Sequence, residues 1–352
     1  MTKKRSVRIG FIGVGGMGQC AHLRNYAVLE DCEVVAVAEL KAQLRALAAQ
    51  RYGVANVYES YDDMLNREEV DGIVCSQPFN RHGVLVKDIA KYRLPIFTEK
   101  PLAASVAVGE EIVQALEKSN CKHMVGYHKR SDPAVEYAKR EVDRLKACGE
   151  LGDMRYVRIL MPAGDWIAGG FDGLLRTGDP APELERDPPP SDMDEETFGK
   201  YAGFVNYYIH QVNLMRYFLG EPYEVTHADP SGVLLVGRSA SGVPCTIEMS
   251  PDETSVDWQE SALVAFQRGY VKVELPAPMA CNRAGRVEIL RDPGDRTPEV
   301  TVPHLPWVHA MKNQASNFLE FVRATAPAPC EAAEALEDLK VAREYIRLLT
   351  GR

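Results

Sequence analysis

The chain has 352 residues, 45% hydrophobic and 26% charged, enough for a sizeable core in two domains. Its formal net charge of −9 argues against a nucleic-acid partner, which requires a basic face, but leaves room for a local cluster that holds a small anion. No apolar run approaches the ~18 residues of a membrane span.

The basic start, Met1-Thr2-Lys3-Lys4-Arg5, runs straight into an apolar strand with no small-residue cleavage site and is not expected to be a signal peptide. From 7 to 126, apolar strands alternate with helical stretches. Strands are expected over 7–13, 34–39, 72–76, 95–98 and 123–126, and helices near 16–30, 41–51, 80–92 and 105–118. Such alternation predicts a doubly wound parallel sheet covered on both faces, with a nucleotide at the carboxyl ends of its strands.

The turn after the first strand carries Gly13-Val14-Gly15-Gly16-Met17-Gly18. A lone GxGxxG is a weak signal; its place between a buried strand and a helix strengthens it. Gly13 permits a tight turn, Gly15 lets the backbone approach a pyrophosphate, and Gly18 lets helix and strand pack closely. Gly16 and Met17 lie at the helix N-terminus, whose N–H groups and dipole favour phosphate. Glu39 ends the second strand, 21 residues past Gly18. Its carboxylate can accept hydrogen bonds from ribose hydroxyls and would repel a 2′-phosphate, which favours NAD over NADP. Lys41 and Arg45 lie close enough in sequence to qualify that preference.

Two further patterns fall at the same sheet edge: Ser76-Gln77-Pro78-Phe79-Asn80-Arg81-His82, and Phe97-Thr98-Glu99-Lys100-Pro101. Beyond residue 130 the alternation ends. A helix is expected over 133–146, N-capped by Asp132, then a strand over 154–160. Residues 163–200 read as an irregular segment with three consecutive prolines and an acidic patch near 192–196. A loop of that length is expected beside the substrate cleft. A helix over 206–219 precedes strands at 223–228, 232–237, 243–249, 261–266 and 271–275, with a hairpin turn at Ser239-Ala240-Ser241-Gly242. Two helices, near 307–325 and 330–349, are split by Pro327 and Pro329. The second half is therefore expected to be an α+β domain with a mostly antiparallel sheet. Cysteines 20, 32, 75, 121, 148, 245, 281 and 330 form no CxxC pair and no Cys/His group with zinc spacing. They point to structural thiols in a reducing cytoplasm, with no metal.

Asn206, His210 and Asn213 stand at i, i+4 and i+7, on a different face from the apolar stripe of Ile209, Val212, Met215 and Leu219. That polar face suggests a cavity wall. An imidazole titrates where a base for a hydroxyl proton is useful, although a hydrogen-bonded core histidine has the same signature. Tyr207 is either a second proton-transfer group or a packing residue. Tyr127, His128, Lys129 and Arg130, after the last parallel strand, form either a cleft floor or a hinge with solvated charges. Asp165 and Trp166 pair a carboxylate with an aromatic face, which suits a sugar or a packed core.

A strand-terminal Glu-Lys-Pro, an upstream Pro-x-x-x-His and a helical histidine in an α+β second half resemble the Gfo/Idh/MocA oxidoreductases, nearly end to end. The resemblance implies a Rossmann domain over 1–126 and a substrate-binding and oligomerisation domain over 127–352. That second domain would have a large open sheet, and the C-terminal helices would pack back on the first domain. It implies bound NAD, a sugar, cyclic-polyol or glycoside substrate, no membrane partner, and a homodimer or homotetramer. Lys100 would lie near the nicotinamide and the reacting hydroxyl. Ser76, Pro78, Asn80, His82 and Glu99 would line the nucleotide side, or the first of these loops is a simple turn. His210 would act as the base, with Asn206 and Tyr207 beside it. Many family members carry Asp where this chain has Asn206; Asn can orient an imidazole but adds no charge. Two rival functions remain: glycoside cleavage through transient oxidation at C3 and elimination, and a non-catalytic dinucleotide-binding regulator.

Overall fold

Strands β1 (Val7–Ile12), β4 (Gly72–Cys75), β5 (Ile96–Glu99) and β6 (His123–Gly126) are short and almost fully buried, as is the carboxyl half of β2 (Cys32–Ala38), as strands covered on both faces must be. With β3 (Asn56–Tyr58) at the edge, they form a six-stranded parallel sheet in the order β3-β2-β1-β4-β5-β6. The strand order reverses between β1 and β4. This is the switch point at which an open α/β sheet leaves a crevice beyond its carboxyl ends.

The linking helices are α1 (a π-helical turn, Gly18–Leu23, continued by Arg24–Tyr26), α2 (Ala42–Tyr52), α3 (Tyr61–Arg67), α4 (His82–Ile89) and α5 (Val106–Ser119). β3 and α3 had no expected counterpart. β3 is a three-residue edge strand with no buried residue, and α3 is only seven residues long, capped by the Ser60 hydroxyl on the Asp62 and Asp63 amides.

This computed structural model describes residues 5–249 and 254–351, so the basic Met1 to Lys4 lie outside the described residues. The chain divides into two units. The first gathers the residues through Tyr127 with two later segments, Gly170–Asp192 and Met311–Leu336. Helix α8 (Ala310–Val322) thereby brings Phe318 and Leu319 into the core of the parallel sheet. The Phe318 ring meets those of Phe97 at 5.8 Å and Tyr26 at 6.5 Å, and Tyr26 meets Phe11 at 5.3 Å, all edge-on.

The second unit holds His128–Gly169, Met193–Ala310 and the chain from Glu337 onward. It contains α6 (Pro133–Cys148) and β7 (Met154–Leu160), both where the sequence predicts them. Asp132 caps α6, accepting from the Ala134 amide at 2.8 Å, and burial pushes its carboxyl up to about 6. The next helix, α7, runs Glu195–Leu219 and so begins eleven residues before the expected start. The acidic patch is its first turn: the Asp194 carboxylate accepts from the Thr197 amide at 2.8 Å, and Glu195 and Glu196 face the positive helix end.

Strands β8 (Tyr223–Ala228), β9 (Leu234–Ser239), β10 (Pro244–Glu248), β11 (Ser261–Phe266), β12 (Gly269–Glu274), β13 (Arg286–Arg291) and β14 (Glu299–Thr301) complete this unit's sheet. Its order is β14-β13-β12-β11-β7-β10-β9-β8. Among the described residues, β7–β10 is the one parallel pair and the rest are antiparallel. The last helix is α9 (Ala332–Thr350). Among the described residues no helix is long and apolar enough to cross a membrane.

Since Phe318 is fully buried between Phe97 and Tyr26, Phe318→Ala should destabilise the chain by about 3–5 kcal/mol. A lowered urea midpoint at unchanged slope checks this.

Candidate active site

The first unit's candidate groups all lie along the carboxyl edge of the parallel sheet. Gly13 has φ +90°, and a Cβ there would fall 2.6 Å from the Ser76 carbonyl oxygen. A Cβ on Gly18 would fall 2.7 Å from the Gly13 carbonyl oxygen, so helix α1 can start this close to β1 only with glycine. Gly15 differs: a Cβ there would meet nothing within 4 Å. Nothing in the protein itself requires that glycine, and the open space lies where a pyrophosphate would approach, above the half-buried Gly16 and Met17. The turn therefore fits a dinucleotide.

Glu39 closes this turn. Its carboxylate accepts from the Val14 amide at 3.0 Å and from the Lys41 amide at 3.0 Å. Arg45 donates to the Glu39 carbonyl oxygen. Across the switch point, the Ser76 amide donates to the Ile12 carbonyl at 3.0 Å, which ties the second loop to the first strand. Pro78 is exposed, while Asn80 Oδ1 is buried with no hydrogen-bond partner among the described residues, an acceptor available to a ligand.

His82 is fully buried. Its Nδ1 faces the Pro101 and Leu102 carbonyl oxygens at 3.1 Å each, and its Nε2 lies 3.3 Å from the Gln77 carbonyl. Burial pulls its basicity down despite those acceptors. The ring braces the Ser76–His82 loop against the Glu-Lys-Pro segment. Glu99 is spent in the same way. Its Oε1 lies 2.7 Å from His22 Nε2, and its Oε2 accepts from the Lys100 amide at 3.1 Å. Burial pushes the Glu99 carboxyl up, but the His22 hydrogen bond, the His22 and Lys100 charges and the Lys100 amide outweigh it and hold it below its ordinary value. Lys100 follows, half-buried, at the end of β5.

In the second unit, His210 and His128 come together. Both are buried, and their rings meet edge to face at 4.4 Å. One turn earlier on α7, Asn206 is exposed and Tyr207 is half-buried, its hydroxyl accepting from the Gly164 amide at 3.3 Å. Tyr207 thus meets the segment that carries Asp165 and Trp166, both half-buried. One Asp165 carboxylate oxygen takes the Ile167 and Ala168 amides, each at 3.0 Å.

The expected polar face of α7 does not extend to Asn213 as a cavity wall. Asn213 is buried, accepting from Arg130 Nε at 2.6 Å and donating to Asp338 at 2.7 Å. Arg216 donates twice to the same carboxylate, at 3.0 and 2.9 Å. Arg130 also stacks on Tyr217 at 4.5 Å, and Lys129 pairs with Glu260 at 2.5 Å. Tyr127, His128, Lys129 and Arg130 are 1–4% exposed, so a hinge of solvated charges is excluded. The Arg130 guanidinium packs inside this unit.

Sequence reasoning missed the groups that hold the first unit's edge together. His22 sits one helical turn after Gly18, a polar residue in a buried helix, and that spacing was its only signal. Asp179 and Asp187 had none, because they lie in an irregular segment. Asp187 caps α4, its carboxylate taking the Gly83 amide at 3.0 Å and the Val84 amide at 2.9 Å. Gln19 receives the Leu175 amide at 3.0 Å, and the Phe171 ring lies 3.8 Å from a Cβ built on Gly16. Residues 170–192 thus run along the carboxyl edge of the first unit's sheet.

The sequence profile of the Gfo/Idh/MocA oxidoreductase family, NAD-binding Rossmann fold, matches residues 7–127. The rhizopine catabolism protein MocA of Rhizobium meliloti is 24% identical over 350 residues, 97% of this chain and 95% of that protein. Residues 7–127 thus belong to the NAD-binding Rossmann-fold domain of the Gfo/Idh/MocA family, and the chain as a whole is similar to MocA. The myo-inositol 2-dehydrogenase of Thermotoga maritima is 25% identical over 225 residues, 64% of this chain and 58% of that protein, so this match spans little more than half of that relative's length. In structure, the apo scyllo-inositol dehydrogenase of Lactobacillus casei matches with a TM-score of 0.70 at 16% identity, covering 99% of this chain and 98% of that one. That likeness bears on the fold. The domain matched over residues 7–127 is an NAD-binding Rossmann fold.

The two glycines nearest the phosphates separate fold from binding. Gly15→Ala should leave the melting temperature within a degree or two and weaken NADH binding at least about tenfold, because its Cβ fills only ligand space. Gly18→Ala should lower stability as well, since its Cβ meets backbone. Calorimetry alongside a thermal melt distinguishes the two.

Proposed function

We propose that the protein is an NAD-dependent dehydrogenase that oxidises a ring or chain hydroxyl of a sugar, cyclic polyol or glycoside. The observation that carries this reading is the dinucleotide turn closed by Glu39, with Lys100 at the carboxyl edge of the same sheet, two strands from β1. The relatives named for inositol dehydrogenation support the substrate class.

Bound NAD supplies a two-electron acceptor for the hydrogen on the hydroxyl-bearing carbon. The chain's own residues hold the oxygen and move its proton. Lys100 places an ammonium against the hydroxyl oxygen, which favours the negative charge that develops there as the proton leaves. Its backbone is fixed by Glu99, so the ammonium extends from a rigid strand end. His210 takes the hydroxyl proton on its ring. Asn206 and Tyr207 orient substrate or imidazole, and His128, Asp165 and Trp166 contact the sugar. Among the described residues no cysteine forms a disulfide, which suits a cytoplasmic enzyme.

His210→Ala should slow oxidation by about 10²–10⁴-fold, the usual worth of a positioned acid–base group, with NADH affinity unchanged. In the unmutated chain the rate should rise with pH through one group and then level. Near-normal turnover in the variant, with the same profile, would move the proton to Tyr207 or Lys100. A panel of inositols, sugars and glycosides with NAD identifies the substrate. Aglycone release without accumulation of NADH would replace net oxidation by redox-assisted glycoside cleavage.

We also propose a homodimer or homotetramer. Helices α6 and α7 cover one face of the second sheet, leaving Leu160, Val236, Leu263 and Leu290 half-buried on alternate positions. Light scattering should give a mass of two or four chains, and Leu263→Lys should lower it. A monomer at micromolar concentration would overturn this.

A further inference from the structure

Glu39 is not the only carboxylate at the adenosine end of the cradle. Helix α2 begins three residues after it, at the same end of the sheet, and the amides of its first turn have no partner within the helix. A free helix start would be a ready anion site. It is the place where a 2′-phosphate, one bond beyond the ribose oxygen that Glu39 would bind, looks for N–H donors and a basic side chain.

In this chain that place is taken. Asp179, from the irregular segment, accepts from the Gln43 amide at 3.1 Å and from the Leu44 amide at 3.0 Å. The Thr177 hydroxyl donates to the same carboxylate at 2.6 Å. One basic side chain is committed too: Arg45 donates to the Glu39 carbonyl oxygen. The Thr177 hydrogen bond, the helix amides and the nearby Lys41 charge hold the Asp179 carboxyl below its ordinary value. The segment is fastened on both sides of Asp179. Before it, Leu175 is bonded to Gln19, and Arg51 donates to the Gly173 carbonyl. After it, Asp187 caps α4 and Arg81 donates to the Glu185 carbonyl at 2.8 Å.

We propose that Asp179 is a second cofactor-specificity residue, which fills the α2 N-terminus with a carboxylate and so excludes the 2′-phosphate of NADP. The inference rests on the reading of the first unit as an NAD site. A doubly charged phosphate arriving there meets two carboxylates, Glu39 and Asp179, and finds the helix amides occupied. NAD carries only a hydroxyl at that position and is unaffected. The helix start thus selects against the anion it would otherwise attract.

The test is NADH and NADPH binding to the full chain, by fluorescence titration. Asp179→Asn keeps a side-chain oxygen for the helix amides and removes the charge. It should tighten NADPH about tenfold or more, the scale of deleting one like charge at close range in a solvent-screened site, and move NADH less than about threefold. Asp179→Ser, which caps through its hydroxyl, should act in the same direction and covers the case in which the first variant folds poorly. Asp187→Asn, on the same segment but at α4, should leave the NADPH/NADH ratio unchanged. A matching shift in that control would mean loosening of the segment and would overturn the proposal. So would unchanged NADPH affinity in both Asp179 variants while Glu39→Ala strengthens it, an outcome that keeps the NAD reading intact. Preference of the unmutated chain for NADPH would instead defeat the NAD reading itself.

Discussion

The approach of helix α1 to strand β1 constrains everything at the first unit's carboxyl edge. Gly18 sits so close to the Gly13 carbonyl that any side chain would drive the helix away from the sheet. With that spacing kept, the amides of the turn face the crevice and three strands converge on it. β1 supplies the turn. β2 supplies Glu39, which accepts from the Val14 amide. β4 supplies Ser76, whose amide is bonded back to Ile12. Parallel strands side by side force this convergence, because their carboxyl ends all point the same way. A displacement at Gly18 would therefore be felt at the Glu39 carboxylate as well as in the glycine turn.

The edge is stiffened by buried polar groups bonded within the protein. His22, Glu99 and His82 are buried, and an unpartnered ion or imidazole there would cost several kcal/mol. Each has partners: His22 with Glu99, Glu99 also with the Lys100 amide, and His82 with one ring N–H donating to a backbone carbonyl while its other nitrogen faces the remaining carbonyls. The consequence is positional. Lys100 is a long, flexible side chain on a backbone with little freedom, and precision at its root limits where the ammonium can go. The second unit uses the same device around α7. Arg130, Asn213, Arg216 and Asp338 form a connected buried set, so the helix that carries His210 is held in rotation as well as in place.

Much of this was legible in the residues, and the exceptions have physical causes. The parallel strands were readable because they are buried on both faces and interrupted by glycine or polar turns, as at Gly72 and Gly126. The glycine turn and Glu39 were readable because a dinucleotide imposes a fixed spacing. β3 and α3 were not, since a half-exposed three-residue edge strand has no periodicity to detect. The start of α7 was misplaced because Asp194, Glu195 and Glu196 resemble loop residues unless their value at a helix N-terminus is counted. Asn213 looked like a member of a polar cavity face. Spacing along one helix cannot tell a ligand-facing amide from one that meets an arginine on another element. The segment from 170 to 192 was the hardest case. Its order comes from side chains such as Asp179 and Asp187 bonding to distant helix ends, a long-range property with no local pattern.

Asn206 illustrates the same division between charge and position. Asn206 is exposed while His210, one turn later, is buried. A carboxylate at 206 would add charge from the solvent side, where screening weakens it. The edge-to-face contact with His128 acts from within the unit, at 4.4 Å, and orients the ring without requiring charge at 206. Stabilisation of a protonated imidazole and orientation of a neutral one are separable tasks, and packing alone performs the second. The contact with His128 keeps the His210 ring oriented from inside the unit.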